Sequence, residues 1–305
     1  MPKKTKVIVT GGAGFIGSHL TDALVKEGFE VHVIDNLVAG KKENINPKAK
    51  FHKLDIRNYE EIKPLFKGVD YVFHLAALPR VQFSIENPIE TNETNVGGTL
   101  NVLKASHEMG VKKVIYSASS SAYGDQDKLP LRENLPAQPK SPYGLQKYIG
   151  ELYCRVWSQV YGLPTVSLRY FNVYGPRNNP DGAYALVIAK FLRQRKSGKP
   201  MTITGDGRQT RDFTSVHDVV RANILAMRSS KVGGGEVINI GAGKNQSINK
   251  IAELIGGPVK YIPARFEPHD TLADNSLAKK LLGWKPEVSI EEGIAELKIF
   301  AGLKP

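Results

Sequence analysis

Val7-Ile8-Val9-Thr10-Gly11-Gly12-Ala13-Gly14-Phe15-Ile16-Gly17-Ser18 decides how this chain folds. The β-branched run at its start reads as a strand, and an amphipathic stretch follows the last glycine. The glycines fit G-x-x-G-x-x-G from Gly11 and G-x-G-x-x-G from Gly12. Glycine permits a tight turn, a close approach of backbone to a pyrophosphate, and close packing of helix on strand. The helix start then offers free N–H groups and a positive dipole end to the phosphates. A strand before and a helix after make this the context of a dinucleotide loop. The next apolar run, 30–34, ends in Asp35, 18 residues beyond Gly17, against about 20 for the acid that binds the adenosine ribose. A carboxylate there binds both ribose hydroxyls and repels a 2′-phosphate, so NAD is favoured over NADP.

Outward from this loop, strand patterns at 6–9, 30–34, 50–54, 71–75, 113–117 and 165–169 alternate with helical ones at 17–27, 59–66, 88–109 and 142–161. Such alternation predicts a doubly wound parallel sheet covered on both faces. Beyond Tyr170 the pattern becomes irregular, with loop-rich segments at 175–182 and 205–211. Helices are expected at 185–197, 218–228, 249–254, 275–282 and 290–301, and a strand at 236–240. The expected division is a nucleotide-binding part, 1–169 plus about 213–240, and a smaller C-terminal lobe of 170–212 and 241–305.

Ser141-Pro142-Tyr143-Gly144-Leu145-Gln146-Lys147 opens a helix: Ser141 suits the N-cap and Pro142 the first helical position. Tyr143 and Lys147 are then i,i+4 and share a face. A tyrosine near its free pKa of about 10 is a poor base at neutral pH. A nearby ammonium and the positive helix end favour the phenolate, so the pair is expected to take a hydroxyl proton while hydride leaves the same carbon. The strand before it ends in Ser117-Ala118-Ser119-Ser120-Ser121-Ala122-Tyr123-Gly124, where a hydroxyl could bind the reacting oxygen and relay its proton.

Composition narrows the rest. A chain of 305 residues, 41% hydrophobic, can bury a large core. It has no run of about 18 apolar residues, so no membrane span is expected. The charged start and short apolar run do not read as a signal peptide. The single cysteine, Cys154, excludes an intrachain disulfide, fits a reducing cytoplasm, and reads as a buried small side chain. The net charge of +12 comes from 42 basic and 30 acidic residues. Its densest clusters, 3–6 and 193–199, are short and lack interleaved aromatics, so a solvated surface is expected rather than a nucleic-acid partner. His74 is expected to pack. His217-Asp218 reads as a helix start and His269-Asp270 as a loop, and no set of residues has metal-ligand spacing.

Together these residues resemble the extended short-chain dehydrogenase/reductases, and the likeness covers nearly the whole chain. It is carried by 11–17, Asp35-Asn36-Leu37, Asp55-Ile56-Arg57, His74-Leu75-Ala76-Ala77, Asn95-Val96-Gly97-Gly98-Thr99, the serine strand, Tyr143/Lys147, Arg169-Tyr170-Phe171-Asn172-Val173-Tyr174-Gly175-Pro176-Arg177, Arg211-Asp212-Phe213 and Leu282-Gly283-Trp284. Within the family the chain is most similar to the UDP-glucose and UDP-N-acetylglucosamine 4-epimerases. Asn179-Pro180-Asp181-Gly182-Ala183-Tyr184 resembles the branch that accepts N-acetyl sugars.

The resemblance implies a Rossmann-type fold and NAD held by Gly11, Gly14, Phe15, Ile16, Gly17, Asp35, Asn36, Asp55, Ile56, Leu75, Ala76, Ala77, Asn95, Ser117, Tyr143, Lys147 and Tyr170. It implies catalysis by Tyr143, Lys147 and Ser119. It implies a UDP-sugar held by Ser119, Tyr143, Asn172, Val187, Arg211, Arg265 and Thr271, with the Arg211 fork on the pyrophosphate. It also implies a homodimer through helices 88–109 and 142–161. The chain departs from the family around Pro263-Ala264-Arg265-Phe266-Glu267-Pro268, which lacks the usual glycine after the arginine. Thr271, at the family's sugar gatekeeper position, is small enough to admit an N-acetyl group.

Related dehydratases and decarboxylases place an acid in the serine strand, and Ser119-Ser120-Ser121-Ala122-Tyr123-Gly124 has none. Epimerisation at C4 needs only oxidation, rotation of the 4-keto sugar and return of the hydride. The expected activity is thus a UDP-hexose 4-epimerase, EC 5.1.3.2 in kind. A UDP-uronic acid epimerase, a net dehydrogenase, and a nucleotide-sensing or RNA-binding protein on the same fold remain the alternatives.

Overall fold

The computed structural model describes residues 4–179, 186–264 and 270–304. In chain order the first half runs β1 (Lys6–Thr10), α1 (Phe15–Lys26), β2 (Glu30–Ile34), β3 (Lys50–His52), α2 (Tyr59–Ile62), β4 (Tyr71–His74), α3 (Val81–Glu86), α4 (Pro88–Asn92), α5 (Gly98–Glu108), β5 (Lys113–Ser119), α6 (Pro142–Tyr161) and β6 (Thr165–Tyr170). There follow β7 (Val173–Tyr174), α7 (Val187–Lys196), β8 (Met201–Thr204), β9 (Thr210–Asp212), β10 (Thr214–Ser215), α8 (Val216–Arg228), β11 (Gly234–Ile240), β12 (Asn245–Ser247), α9 (Ile248–Ile255), β13 (Val259–Ile262), α10 (Ser276–Leu282) and α11 (Ile290–Phe300).

Seven strands form one sheet in the order β11-β6-β5-β4-β1-β2-β3, and every pairing in it is parallel. This is the doubly wound order expected of a dinucleotide-binding sheet. Successive strand residues point to opposite faces, and β1 shows why its run is apolar throughout. Val7 and Val9 pack with Leu20 and Leu24 of α1 and with α8, whereas Ile8 packs on the other side with Val102 and Leu103 of α5. Cys154 is buried in that second layer, where burial pushes its thiol up to about 12, in keeping with a packing role. Trp284 is fully buried and donates from Nε1 to the Asp218 carbonyl, anchoring the chain after α10 on α8.

Helix α6 begins as its sequence signals require. The Ser141 hydroxyl accepts the Gly144 N–H at 3.1 Å, Pro142 takes the first turn, and Gly162, at φ +67°, ends the helix. The helix expected over 88–109 is not uniform. A π-turn at Glu93–Gly97 separates α4 from α5 and carries Asn95. Helix α3 and the short strands β7, β8, β9, β10, β12 and β13 were not legible, because each depends on a partner far along the chain. β13, for example, pairs with β8. A third apolar cluster, with Phe191, Met201, Ile203, Ile251 and Ile294, lies outside the two layers of the main sheet. Among the described residues no helix is long and apolar enough to cross a membrane.

Candidate active site

The C-terminal ends of the central strands converge. Register places Thr10 beside His74, His74 beside Tyr116, and Ser119 beside Tyr170. Strand order reverses between β1 and β4, and open parallel sheets bind ligands in the crevice at that point.

The glycine loop fits a dinucleotide on geometric grounds. Gly11 has φ +72°, and a Cβ there would lie 2.7 Å from the Ala76 nitrogen. A Cβ on Gly17 would lie 2.2 Å from the Gly11 carbonyl oxygen, so only glycine lets α1 start against the loop. Gly14 caps α1 without any side-chain hydrogen bond, leaving the first-turn N–H groups of Phe15 and its neighbours for an external anion. Asp35 is buried at the end of β2. Its carboxylate accepts N–H groups of Ala13 at 3.0 Å and Leu37 at 2.8 Å. Burial raises its pKa against these two bonds, and its remaining lone pairs suit ribose hydroxyls.

Asp55 binds Arg57 at 2.8 Å and the Asn36 amide at 3.0 Å. Burial pulls its pKa up, but Arg57 and Asn36 outweigh that and hold it below the usual range. Ile56 is buried beneath Gly98, where a Cβ would meet its side chain at 2.5 Å. Asp55 therefore braces Asn36, and Ile56 forms a buried wall. Past β4, Leu75, Ala76 and Ala77 are partly exposed at the crevice. The expectation for His74 holds: burial lowers its pKa to about 3, and its nitrogens lie 2.7 Å from Thr10 Oγ1 and 2.9 Å from Thr99 Oγ1.

Tyr143 lies one turn before Lys147 on α6, facing the end of β5. Its backbone N–H donates to the Ser84 hydroxyl at 3.0 Å. Burial pushes its phenol up to about 12, and a hydrogen bond with Ser119 works in the opposite sense. The Ser119 hydroxyl is also paired with that of Ser121 and accepts the Ser121 N–H at 3.2 Å. Lys147 is buried, which lowers its pKa to about 8. Its ammonium donates to the Ser117 carbonyl at 2.8 Å and lies 5.0 Å from the Tyr116 ring centroid. The expected lowering of Tyr143 by Lys147 is thus not present in the chain alone: burial raises the phenol, and the Ser119 hydrogen bond is what opposes it. Tyr170 turns its hydroxyl to Asn223, 3.0 Å away in the interior.

On the lobe side the structure brings Asn172, Arg211 and Thr271 together around Asp212. Asn172, at φ +31°, donates to Thr271 Oγ1 at 3.3 Å and to the Asp212 carbonyl at 3.4 Å. The Arg211 guanidinium touches the Thr210 carbonyl at 2.9 Å. Val187 opens α7, partly buried against the lobe's apolar cluster. Arg265, residues 180–184 of the N-acetyl-type stretch, and His269 lie outside the described residues.

Three positioning residues escaped the sequence. Asp212, fully buried, accepts backbone N–H groups of Ala242 at 2.7 Å and of Gly243 and Ala273 at 3.0 Å. Burial raises its carboxyl to about 6. Its only visible signal was its place after Arg211. Ser84 and Gln146 gave none, since their partners lie 59 and 51 residues away. Among the described residues no group of three or more His, Cys, Asp or Glu side chains is placed to hold a metal.

A parallel sheet with a glycine-lined crevice, an acid at the end of β2 and a Tyr/Lys/Ser set at the end of β5 define a dinucleotide-dependent enzyme. Residues 7–241 match the NAD dependent epimerase/dehydratase family, and the chain belongs to it. NAD is accordingly its cofactor. The chain is 42% identical to the UDP-glucose 4-epimerase of Thermotoga maritima, solved with UDP-glucose, with a TM-score of 0.92 over 97% of this chain and 98% of that one. It is 39% identical to a UDP-N-acetylglucosamine 4-epimerase of Methanobrevibacter ruminantium, solved with UDP-N-acetylmuramic acid, with a TM-score of 0.93 over 98% of each. It is 40% identical to the UDP-glucuronate 4-epimerase of Thermodesulfobacterium geofontis over 94% of this chain and 93% of that protein.

Proposed function

We propose that this protein is an isomerase that inverts C4 of a UDP-hexose through a transient 4-keto sugar, with UDP-glucose and UDP-galactose as substrates. The observation that carries this is the Tyr143–Ser119 contact at the head of α6, with no carboxylate in residues 119–124. Tyr143 accepts the proton of the C4 hydroxyl and later returns it to the ketone oxygen. Ser119 binds the same oxygen and holds the phenol in place. NAD, held by the glycine loop and Asp35, would supply the hydride acceptor and donor for C4 and a positive ring charge. In the chain alone burial pushes the Tyr143 phenol up to about 12, so its use as a base would depend on the positive ring of bound NAD, with the Lys147 ammonium as a second cation.

Residues 1–169 with about 213–240 hold the cofactor, and 170–212 with 241–305 grip the sugar nucleotide. Gly11, Gly14, Phe15, Ile16 and Gly17 cradle the NAD pyrophosphate. Asp35 and Asn36 take the adenosine ribose, with Asp55 and Ile56 behind them. Leu75 to Ala77, Asn95, Ser117 and Tyr170 border the nicotinamide end. Arg211, with Asn172, faces the UDP pyrophosphate, Arg265 is a further candidate there, and Val187 lines the substrate site. Thr271 leaves room for an N-acetyl group, so the N-acetyl forms are substrates as well. A uronic acid at C6 is the second reading, favoured by the identity to the UDP-glucuronate 4-epimerase.

Homodimers form through α6 and the helices beside it. Leu145, Leu152, Val156 and Val160 leave an exposed apolar stripe along α6, and Val81, Ile85 and Ile89 extend it. Val156→Glu should shift sedimentation toward the monomer, and an unchanged profile would exclude this interface.

The functional test is turnover of UDP-glucose, UDP-N-acetylglucosamine and UDP-glucuronate by the wild type and by Tyr143→Phe. The first two should be epimerised, and the variant should lose about 10²–10⁴-fold in kcat, the range for general acid–base groups. Turnover of UDP-glucuronate alone would replace the hexose reading with the uronic acid one. Full activity in Tyr143→Phe would remove the mechanism.

A further inference from the structure

Gln146 stands between the two catalytic side chains of α6 in sequence and has no part in the chemistry above. It is 3% exposed, and its amide faces the π-turn instead of the crevice. Its Oε1 accepts from Asn95 Nδ2 at 2.8 Å, and its Nε2 donates to Thr91 Oγ1 at 3.0 Å. The neighbours fix this orientation. Thr91 spends its hydroxyl proton on the Asn87 and Pro88 carbonyls at 3.0 and 3.1 Å, so its oxygen has only acceptor capacity left. Asn95 uses Oδ1 for the Leu78 N–H at 2.8 Å, so only its amide nitrogen can face Gln146.

Asn95 also donates to the Leu78 carbonyl at 3.2 Å and thus grips both backbone groups of that residue. Leu78 ends the segment 75–78, whose other end is pinned where the Ala76 N–H meets Thr10 Oγ1 at 3.2 Å. A continuous path therefore runs from α6 through Gln146 and Asn95 to the backbone at the crevice floor. The π-turn at Glu93–Gly97 is the local distortion that carries Asn95 in this path, and such turns recur at functional sites. Asn95, Thr91 and Gln146 are each nearly or fully buried, so a missing partner cannot be replaced cheaply by water.

We propose that Gln146 is a positioning residue that fixes the spacing between the Tyr143–Lys147 helix and the 75–78 segment, and so sets the affinity for NAD. This rests on the reading that those two elements flank one bound cofactor. It predicts a specific loss: the cofactor side of the crevice loosens while the sugar-nucleotide lobe, built on Asp212, does not.

The test measures NAD and UDP affinity of the NAD-stripped full chain by calorimetry, for wild type, Gln146→Ala and the length-matched Gln146→Met. Met keeps the volume and guards against a folding defect. Both variants should bind NAD at least tenfold more weakly, with UDP affinity within twofold of wild type. Asn95→Ala is measured alone and combined with Gln146→Ala, and the double variant should lose no more than the worse single one. NAD affinity within twofold of wild type in both variants overturns the proposal, as does a parallel loss of NAD and UDP affinity, which would mark Gln146 as merely structural. These are binding measurements, so they hold whichever sugar the enzyme turns over. Failure of the catalytic reading would show instead as turnover surviving in Tyr143→Phe.

Discussion

The Lys147 ammonium donates to the carbonyl oxygen of Ser117 at 2.8 Å, tying the catalytic helix to the strand that carries Ser119. Lys147 is buried and easier to deprotonate folded than unfolded, with a pKa near 8 against an ordinary 10.5. Folding therefore bears the full penalty of this buried charge below about pH 8, and the penalty fades as pH rises toward 10.5. Each pKa unit corresponds to about 1.4 kcal/mol, partly offset by the Ser117 bond. Lys147→Met should raise Tm by several degrees at pH 7, and by less at pH 10, while turnover collapses. Calorimetry at both pH values checks this, and a lower Tm at pH 7 would contradict it.

Asp212 carries a prediction for the lobe. Its carboxylate holds three backbone N–H groups from two separate segments. A buried donor left unsatisfied costs about 1–3 kcal/mol, so Asp212→Ala should lose on the order of 3–5 kcal/mol in chemical denaturation. Thr271 Oγ1 accepts the Asp212 backbone N–H and Asn172 donates to the Asp212 carbonyl, so loss of the carboxylate should shift that backbone and raise KM for the sugar nucleotide several-fold more than KM for NAD. Equal changes in the two would detach Asp212 from the substrate side.

Cofactor choice should depend on Asp35. Asp35→Asn keeps the shape but removes the charge that repels a 2′-phosphate. NAD should bind more weakly and NADP more tightly, closing the gap by about tenfold or more, as read by fluorescence titration of the stripped protein. An unchanged preference would mean that another group sets it.

The loop geometry can be probed with one methyl group. In Gly17→Ala the new Cβ would sit 2.2 Å from the Gly11 carbonyl oxygen, backbone against backbone. Helix α1 must shift, and NAD affinity should fall by at least a hundredfold. Gly28→Ala, with nothing near its Cβ but a positive φ, should lose stability alone. Equal NAD affinity in the two variants would refute the cradle.

The main sheet was legible because local signals coincide with it. Val7 to Thr10, the glycines and Asp35 each state their role within a few residues, and Ser141-Pro142 marks the start of α6 to the residue. Most expected strands and helices appear within about two residues of their place. The contacts that hold the site were not legible. Gln146 meets Asn95 across 51 residues, and Asp212 meets Ala273 across 61. Nor could the Tyr143 phenol's rise to about 12 be read, because burial is a property of the fold and not of the i,i+4 spacing. In the lobe, β8 and β13 exist only through each other.

In the reaction proposed above, hydride leaves C4 and returns to the same carbon while Tyr143 carries the proton. UDP-glucose deuterated at C4, incubated with the NAD-loaded protein and resolved by mass spectrometry and NMR, tests it most directly. UDP-galactose should form with the deuterium still on C4 and no lasting NADH. Loss of the label to solvent, stoichiometric NADH, or no UDP-galactose at all would contradict it.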